Sequence, residues 1–195
     1  MSAFFYEIIR AEHLLFYFFA YALAATPTSY LVARFIHKSD ARLKKDFVHS
    51  ASTIWRTWSK KTGIAVFVLD FLKGFIPCAI AFSLMVPVEI IAIIGLFAVL
   101  GHCFSVWLMM SGGRGASTSA GAMVFVSWPI VVLGLIVFLM SVLLGARVER
   151  ASFYAVLATV CAFSIWSVNN LVFIGVLVMG VVVLWRHRSF IFIKP

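Results

Sequence analysis

The stretch STSAGAMVFVSWPIVVLGLIVFLMSVLL, residues 117–144, decides how the chain is folded. It is apolar throughout, yet too long for one helical crossing, which needs about 20 residues. Its one interruption is Ser127-Trp128-Pro129-Ile130. Pro129 has no amide hydrogen and disfavours helix in the residue before it. Two readings follow: a short helix over 117–127 and a second over 129–145, or one kinked helix.

The rest of the chain divides more simply. Apolar runs cover about 13–35, 63–85, 88–110, 152–168 and 170–185, which gives a total of six or seven spans. The 195 residues are 64% hydrophobic and 12% charged, and the mean hydropathy is +1.08. These values exclude a soluble globular domain and define an all-α integral membrane protein. The whole chain, 1–195, is expected to form a single polytopic membrane domain, with no separate domains or low-complexity segments. Within the first apolar run, Ala22-Leu23-Ala24 resembles a signal-peptidase site. The preceding segment carries Glu7 and Glu12 and is not net basic, so the run reads as a retained span.

Charge chooses between six and seven. With seven spans and the N-terminus outside, all of the 16 Lys and Arg residues except Arg10 and Lys73 fall in cytoplasmic segments. With six, Arg114 and the first basic loop face away from Arg147 and the tail. The positive-inside rule therefore favours seven, with a cytoplasmic C-terminus. It also accounts for the net charge of +9 without nucleic acid, for which no binding module is visible. Cys78, Cys103 and Cys161 lie in or beside apolar segments, without CxxC spacing. They read as small hydrophobes, and neither a metal nor a cofactor is expected.

Three polar stretches share the cytoplasmic face: the loop after the first span, the segment SGGRGAST (111–118) and the tail. Glycines at 112, 113 and 115 let backbone amides approach an anion, and the start of the following helix adds partial positive charge. Ser111 and Arg114 flank these amides, Arg114 with a fork that fits phosphate. Ser117 and Thr118 are candidate caps for that helix. The alternative for the stretch is a flexible turn. Asp70 and Lys73, three apart inside a span, share a helix face and read as a buried pair or as part of a site. His102 lies inside the span before the glycines. Arg186-His187-Arg188 marks the exit of the last span, as an interfacial anchor or as a site. Arg56 by itself is one more loop cation.

Taken together, these stretches resemble the acyl-phosphate:glycerol-3-phosphate acyltransferase family of the bacterial inner membrane (PlsY type). PTSYLVAR (27–34) is similar to the family's SIPxGYLxAR. Leu69, Asp70, Lys73 and Gly74 keep its LDxxKG pattern. GHCFSVWLMMSGGRGAST (101–118) resembles GHxFPxFLxFKGGKGVAT, and LWRHRS resembles the RHxxN tail. The resemblance implies seven spans with the N-terminus outside. It also implies acyl phosphate and glycerol 3-phosphate as substrates beside membrane lipid, and a phosphate cradle at Gly112, Gly113, Arg114 and Gly115 with Ser111. Arg56 and His187 fall on the family's site positions, with Asp70, Lys73, His102 and Arg186 in support.

The first motif departs from the family's GSGNxGATNxxR. In KDFVHSASTIWR (45–56), Asp46 replaces a serine, and Val48 and Thr53 replace asparagines. Phe190 stands at the tail asparagine, and the chain ends at Pro195 without the family's downstream glutamate. Asp46 is a candidate general base toward the same or a related hydroxyl acceptor. The other reading of these departures is a catalytically inactive member serving as a subunit of a membrane complex, docked on another membrane protein.

Overall fold

The computed structural model describes residues 10–40, 49–166 and 169–188, and among these the secondary structure is helical throughout. Helix α1 spans Ala11–Ala25 and is followed by the short α2, Thr28–Leu31, and a π-type turn, Val32–Ile36. Then come α3 (Ala51–Thr57), α4 (Lys60–Ser83), α5 (Val88–Cys103) and a 3₁₀ turn at Val106–Leu108. Helices α6 (Ala116–Leu143), α7 (Val148–Trp166) and α8 (Asn170–His187) complete the chain. Six segments are long and apolar enough to cross a membrane.

The stretch that opened the sequence reading is α6, and it is folded back on itself. Ser127, two residues before Pro129, leaves the helical region (φ −163°, ψ 89°). The first leg runs beside α4, with Phe125 against Phe75 and Phe82 at ring separations of 4.9 and 5.4 Å. The second leg returns, so that Phe138 lines one pocket with Ala116 and Ser117. A straight helix would hold residues 116 and 138 about 33 Å apart. The break at Ser127-Trp128-Pro129 therefore separates two antiparallel legs, and both ends of α6 reach one face of the bundle. This is the two-helix reading, and it gives seven legs from six apolar segments.

The first leg has about 11 residues and rises only about 16 Å. It suffices because the leg starts deep. Thr118 Oγ1 donates to the carbonyl of Asp70 (2.9 Å), ten residues and about 15 Å along α4 from Lys60. The glycine loop ahead of it is set back into the bundle, and residues 112–115 are all buried.

Packing is by small residues, as expected where lipid supplies no hydrophobic drive between helices. On α1, Tyr17, Ala20 and Ala24 form one face against Ile90, Ile91, Ile94 and Ala98 of α5, with Tyr17 stacked on Phe97 at 5.0 Å. Helices α4 and α6 touch backbone to backbone. A Cβ on Gly74 would lie 2.0 Å from the Thr118 carbonyl oxygen, and one on Gly121 would lie 2.1 Å from that of Phe71. At the far end of the bundle, Asn169 Oδ1 accepts from the amides of Leu171 and Val172 and starts α8, while its Nδ2 donates to Glu89 (2.7 Å).

Gly74→Ala and Gly121→Ala are each expected to cost about 3 kcal/mol, through forced separation of α4 and α6. Gly175→Ala, whose Cβ would meet Ala92 at an ordinary 3.5 Å, is expected to be tolerated. Thermal unfolding of the three variants in detergent checks this.

Candidate active site

The site is built around the glycine loop between α5 and α6. The last carbonyls of a helix lack intrahelical partners, and here the loop supplies them. The Gly112 amide donates to Cys103 O (3.1 Å) and the Gly113 amide to His102 O (2.9 Å). On the other side the carbonyls of Gly112 and Gly113 accept from Arg186, through Nη2 at 2.6 Å and Nε at 3.0 Å. A Cβ on Gly113 would stand 2.0 Å from His102 Nε2, so only glycine fits there. Gly115 has φ +86°, which glycine adopts without strain, and turns the chain into α6.

This geometry corrects part of the sequence reading. The amides of Gly112 and Gly113 point into the protein and are spent on α5, so those two glycines do not form an anion nest. Ser111 is exposed, and its amide donates to Leu108 O (3.0 Å). Neither Ser117 nor Thr118 caps α6: the N-cap is Gly115, without a side-chain bond, and the Thr118 hydroxyl is directed to Asp70. What faces the polar pocket is Arg114, Gly115 and the first residues of α6, Ala116 and Ser117. A helix N-terminus presents unbonded amides and favours anions.

That pocket, of about 90 Å³, is also lined by Ser50, Ser52, Asp70, His102 and His187. Arg114 Nη1 donates to Ser52 Oγ (3.2 Å). Burial pulls the Arg114 pKa down to about 10, against the opposing effect of Glu149, and leaves it cationic at neutral pH. His187 is buried at the end of α8, and its Nδ1 donates to Val183 O (2.8 Å). A carbonyl accepts only, so this bond assigns the hydrogen to Nδ1 and leaves Nε2 as the acceptor of the neutral ring.

Behind the pocket lies a buried cluster. Asp70 Oδ1 accepts from Thr28 Oγ1 (2.6 Å) and pairs with Lys73 Nζ (3.0 Å), and His102 Nδ1 stands 3.6 Å away. Lys73 also donates to Thr26 O (2.6 Å) and Thr28 Oγ1 (3.1 Å). The pair is thus structural first, holding the start of α2 to α4, while its aspartate and histidine reach the pocket wall.

Arg56 lines a second, larger cavity of about 810 Å³. Its walls are mostly apolar, with Trp55, Ile64, Phe67, Phe138 and Val142 beside the charged Arg147 and Glu149. Ile64 and Phe67 are about half exposed on the flank of the bundle. Ala51, Ser52, Phe67, Phe138 and Val148 line both spaces, so the polar pocket and the apolar cavity adjoin. Between them lies a residue that the sequence reading passed over. Glu149, in the first turn of α7, is 2% exposed; it forms an ion pair with Arg56 and lies 3.7 Å from Arg114 Nη1. Its only signal in the sequence was an acid between Arg147 and Arg150 at the start of a span. Asp46, Val48 and Phe190 lie outside the described residues.

The arrangement defines a helical, multi-pass membrane protein in which a polar pocket lined by Arg114 and His187 adjoins a larger, mostly apolar cavity. The glycerol-3-phosphate acyltransferase family description matches residues 14–192. The chain is 32% identical over 182 residues to the glycerol-3-phosphate acyltransferase of Prochlorococcus marinus (strain NATL2A), with 91% of each chain covered. It is 33% identical over 176 residues to that of Aquifex aeolicus (strain VF5), covering 88% of this chain and 89% of the relative. The crystal structure of PlsY (YgiH), an integral membrane glycerol 3-phosphate acyltransferase, in its glycerol 3-phosphate form superposes with a TM-score of 0.85 at 30% identity. That superposition covers 93% of this chain and 90% of the other. This chain belongs to the glycerol-3-phosphate acyltransferase family, as its motifs implied.

His49 adds a pH dependence. It precedes α3, lies 3.4 Å from Ser29 Oγ, and has its pKa lowered to about 4 by burial and then by the Arg186 charge. The unfolded chain therefore takes up this proton near pH 6.5, where the folded chain does not. Stability is full above that value and falls as pH drops from 6.5 toward 4. Melting temperatures at pH 7.5 and 5 are expected to differ less in His49→Gln than in the parent protein.

Proposed function

We propose that the protein transfers a fatty acyl group from acyl phosphate to glycerol 3-phosphate at the cytoplasmic face of a bacterial inner membrane. The observation that carries this reading is the junction of the polar pocket and the apolar cavity, with cations on both sides of it. Arg56 and Arg114 share Glu149, which lies between Arg147 and Arg150; Arg186 bonds the glycine loop; and Lys60 and Lys61 open α4 beside Thr62, which bonds His37 next to Lys38, so these cations gather at one end of the bundle. The positive-inside rule makes that end cytoplasmic and the N-terminus external.

In this reading the acyl chain occupies the cavity walled by Phe67 and Phe138, and its phosphate faces Arg56. Glycerol 3-phosphate places its phosphate at Arg114 and the first amides of α6. The hydroxyl at position 1 attacks the acyl carbonyl, an ester C–O bond forms and the C–O bond to phosphate breaks. The proton leaves with the phosphate or passes through His187 Nε2. The products are lysophosphatidic acid and inorganic phosphate. Catalysis is then mostly positioning and charge neutralisation, and Arg186 acts on the loop through its two carbonyls.

Purified protein given acyl phosphate and glycerol 3-phosphate is expected to release inorganic phosphate only when both are present. Arg114→Ala is expected to lower kcat/KM about 100-fold, the scale of one lost oxyanion donor. Absence of release from the parent protein overturns the reading, and an unchanged rate in Arg114→Ala removes the loop from the site.

A further inference from the structure

Glu149 is a buried acid in contact with two arginines from distant parts of the chain. Arg56 comes from α3 and faces the apolar cavity; Arg114 comes from the glycine loop and faces the polar pocket. A single oxygen, Glu149 Oε1, serves both guanidinium groups. The Arg56 side chain is half exposed, and among the described residues Glu149 is its charged partner. Without the carboxylate, the two like charges would repel each other across the junction. With it, the cluster of three carries one net positive charge. One Nη1 of Arg56 is engaged, and a guanidinium has five N–H donors in a rigid fork.

We propose that Glu149 is a positioning residue: it couples Arg56 to Arg114 so that both guanidinium groups converge on one anionic group where the polar pocket meets the apolar cavity. The ligand class is a phosphate monoester or acyl phosphate whose apolar chain extends into the cavity. This rests on the acyltransferase reading and adds to it a residue from outside the glycine loop and the tail.

The test uses the full chain in detergent, with acyl phosphate varied at saturating glycerol 3-phosphate. Glu149→Gln is expected to raise KM for acyl phosphate more than tenfold while kcat changes less than threefold. Glu149→Asp keeps the charge and withdraws it by one methylene; its KM is expected to fall between the parent and Glu149→Gln. Adding Glu149→Gln to Arg56→Ala is expected to worsen KM less than twofold, since coupled residues are non-additive. An unchanged KM with fewer active molecules marks a merely structural acid and overturns the proposal. A lowered KM marks Glu149 as a competitor of the substrate and also overturns it. If Glu149→Gln is not recovered folded, Glu149→Asp decides, because a KM within error of the parent refutes the coupling.

Lack of turnover in the parent protein would be a failure of the acyltransferase reading alone. The coupling is then read from inorganic phosphate, which is expected to raise the melting temperature of the parent. Glu149→Gln is expected to need at least ten times more phosphate for the same rise, and equal phosphate for equal rises refutes it.

Discussion

A length of non-helical backbone set back into an apolar bundle must find a hydrogen-bond partner for every peptide group. That constraint governs this protein. The segment from Met109 to Gly115 meets it from two sides. The amides of Gly112 and Gly113 bond the carbonyls left without helical partners at the end of α5, and their own carbonyls take two donors from Arg186. The recessed loop lets α6 begin at the depth of Asp70, so its first leg reaches the far end in about three turns. The chain then reverses at Ser127 and returns. The sevenfold crossing pattern, the convergence of α3, α6, α7 and α8, and the two adjoining cavities all depend on this one loop being satisfied where it lies.

The buried Asp70–Lys73–His102 cluster obeys the same logic with charges. A buried pair gains little net stability over apolar packing, because desolvation offsets the attraction. Its effect is to specify position. Lys73 has three donors and directs them to Asp70, Thr28 and the Thr26 carbonyl, which ties the break after α1 to the middle of α4. Thr118 then hangs the start of α6 on the carbonyl of the same Asp70. One residue on α4 thereby sets the height of both neighbouring chain breaks, including the one that carries Arg114.

Much of this was legible before any coordinates. Apolar runs near 20 residues located the spans, and the proline at 129 located the reversal, because a missing amide hydrogen acts locally. The Asp70–Lys73 pair was readable from helical spacing alone. The directions of hydrogen bonds were not. A glycine-rich stretch before a helix has the composition of an anion nest, but composition does not say which way its amides point, and here Gly112 and Gly113 point inward. Thr118 and Ser117 have the identity of caps, yet the carbonyl of Asp70, 48 positions away, claims the Thr118 hydroxyl. Glu149 was invisible for a related reason. Its partners Arg56 and Arg114 are far from it in sequence, and only the fold-back of α6 brings the start of α7 to them.

The fold-back also explains why the polar pocket and the apolar cavity share walls. Phe138, on the returning leg, stands 22 residues after Ala116, on the outgoing leg, yet both line the polar pocket, and Phe138 continues into the apolar cavity with Phe67. A straight α6 would carry Phe138 to the far end and leave the cavity without that wall. The charged contacts then concentrate at the edge where the two spaces meet, since Ser52, Arg114 and Glu149 come from three different elements and touch there. Low-dielectric walls strengthen the buried contacts, so a phosphate at that edge would meet Arg114, which solvent screens weakly. An apolar chain attached to it would leave along Phe67 and Ile64, whose exposed faces lie on the flank of the bundle. The reversal at Ser127 therefore brings a polar pocket and an apolar cavity within reach of the same loop.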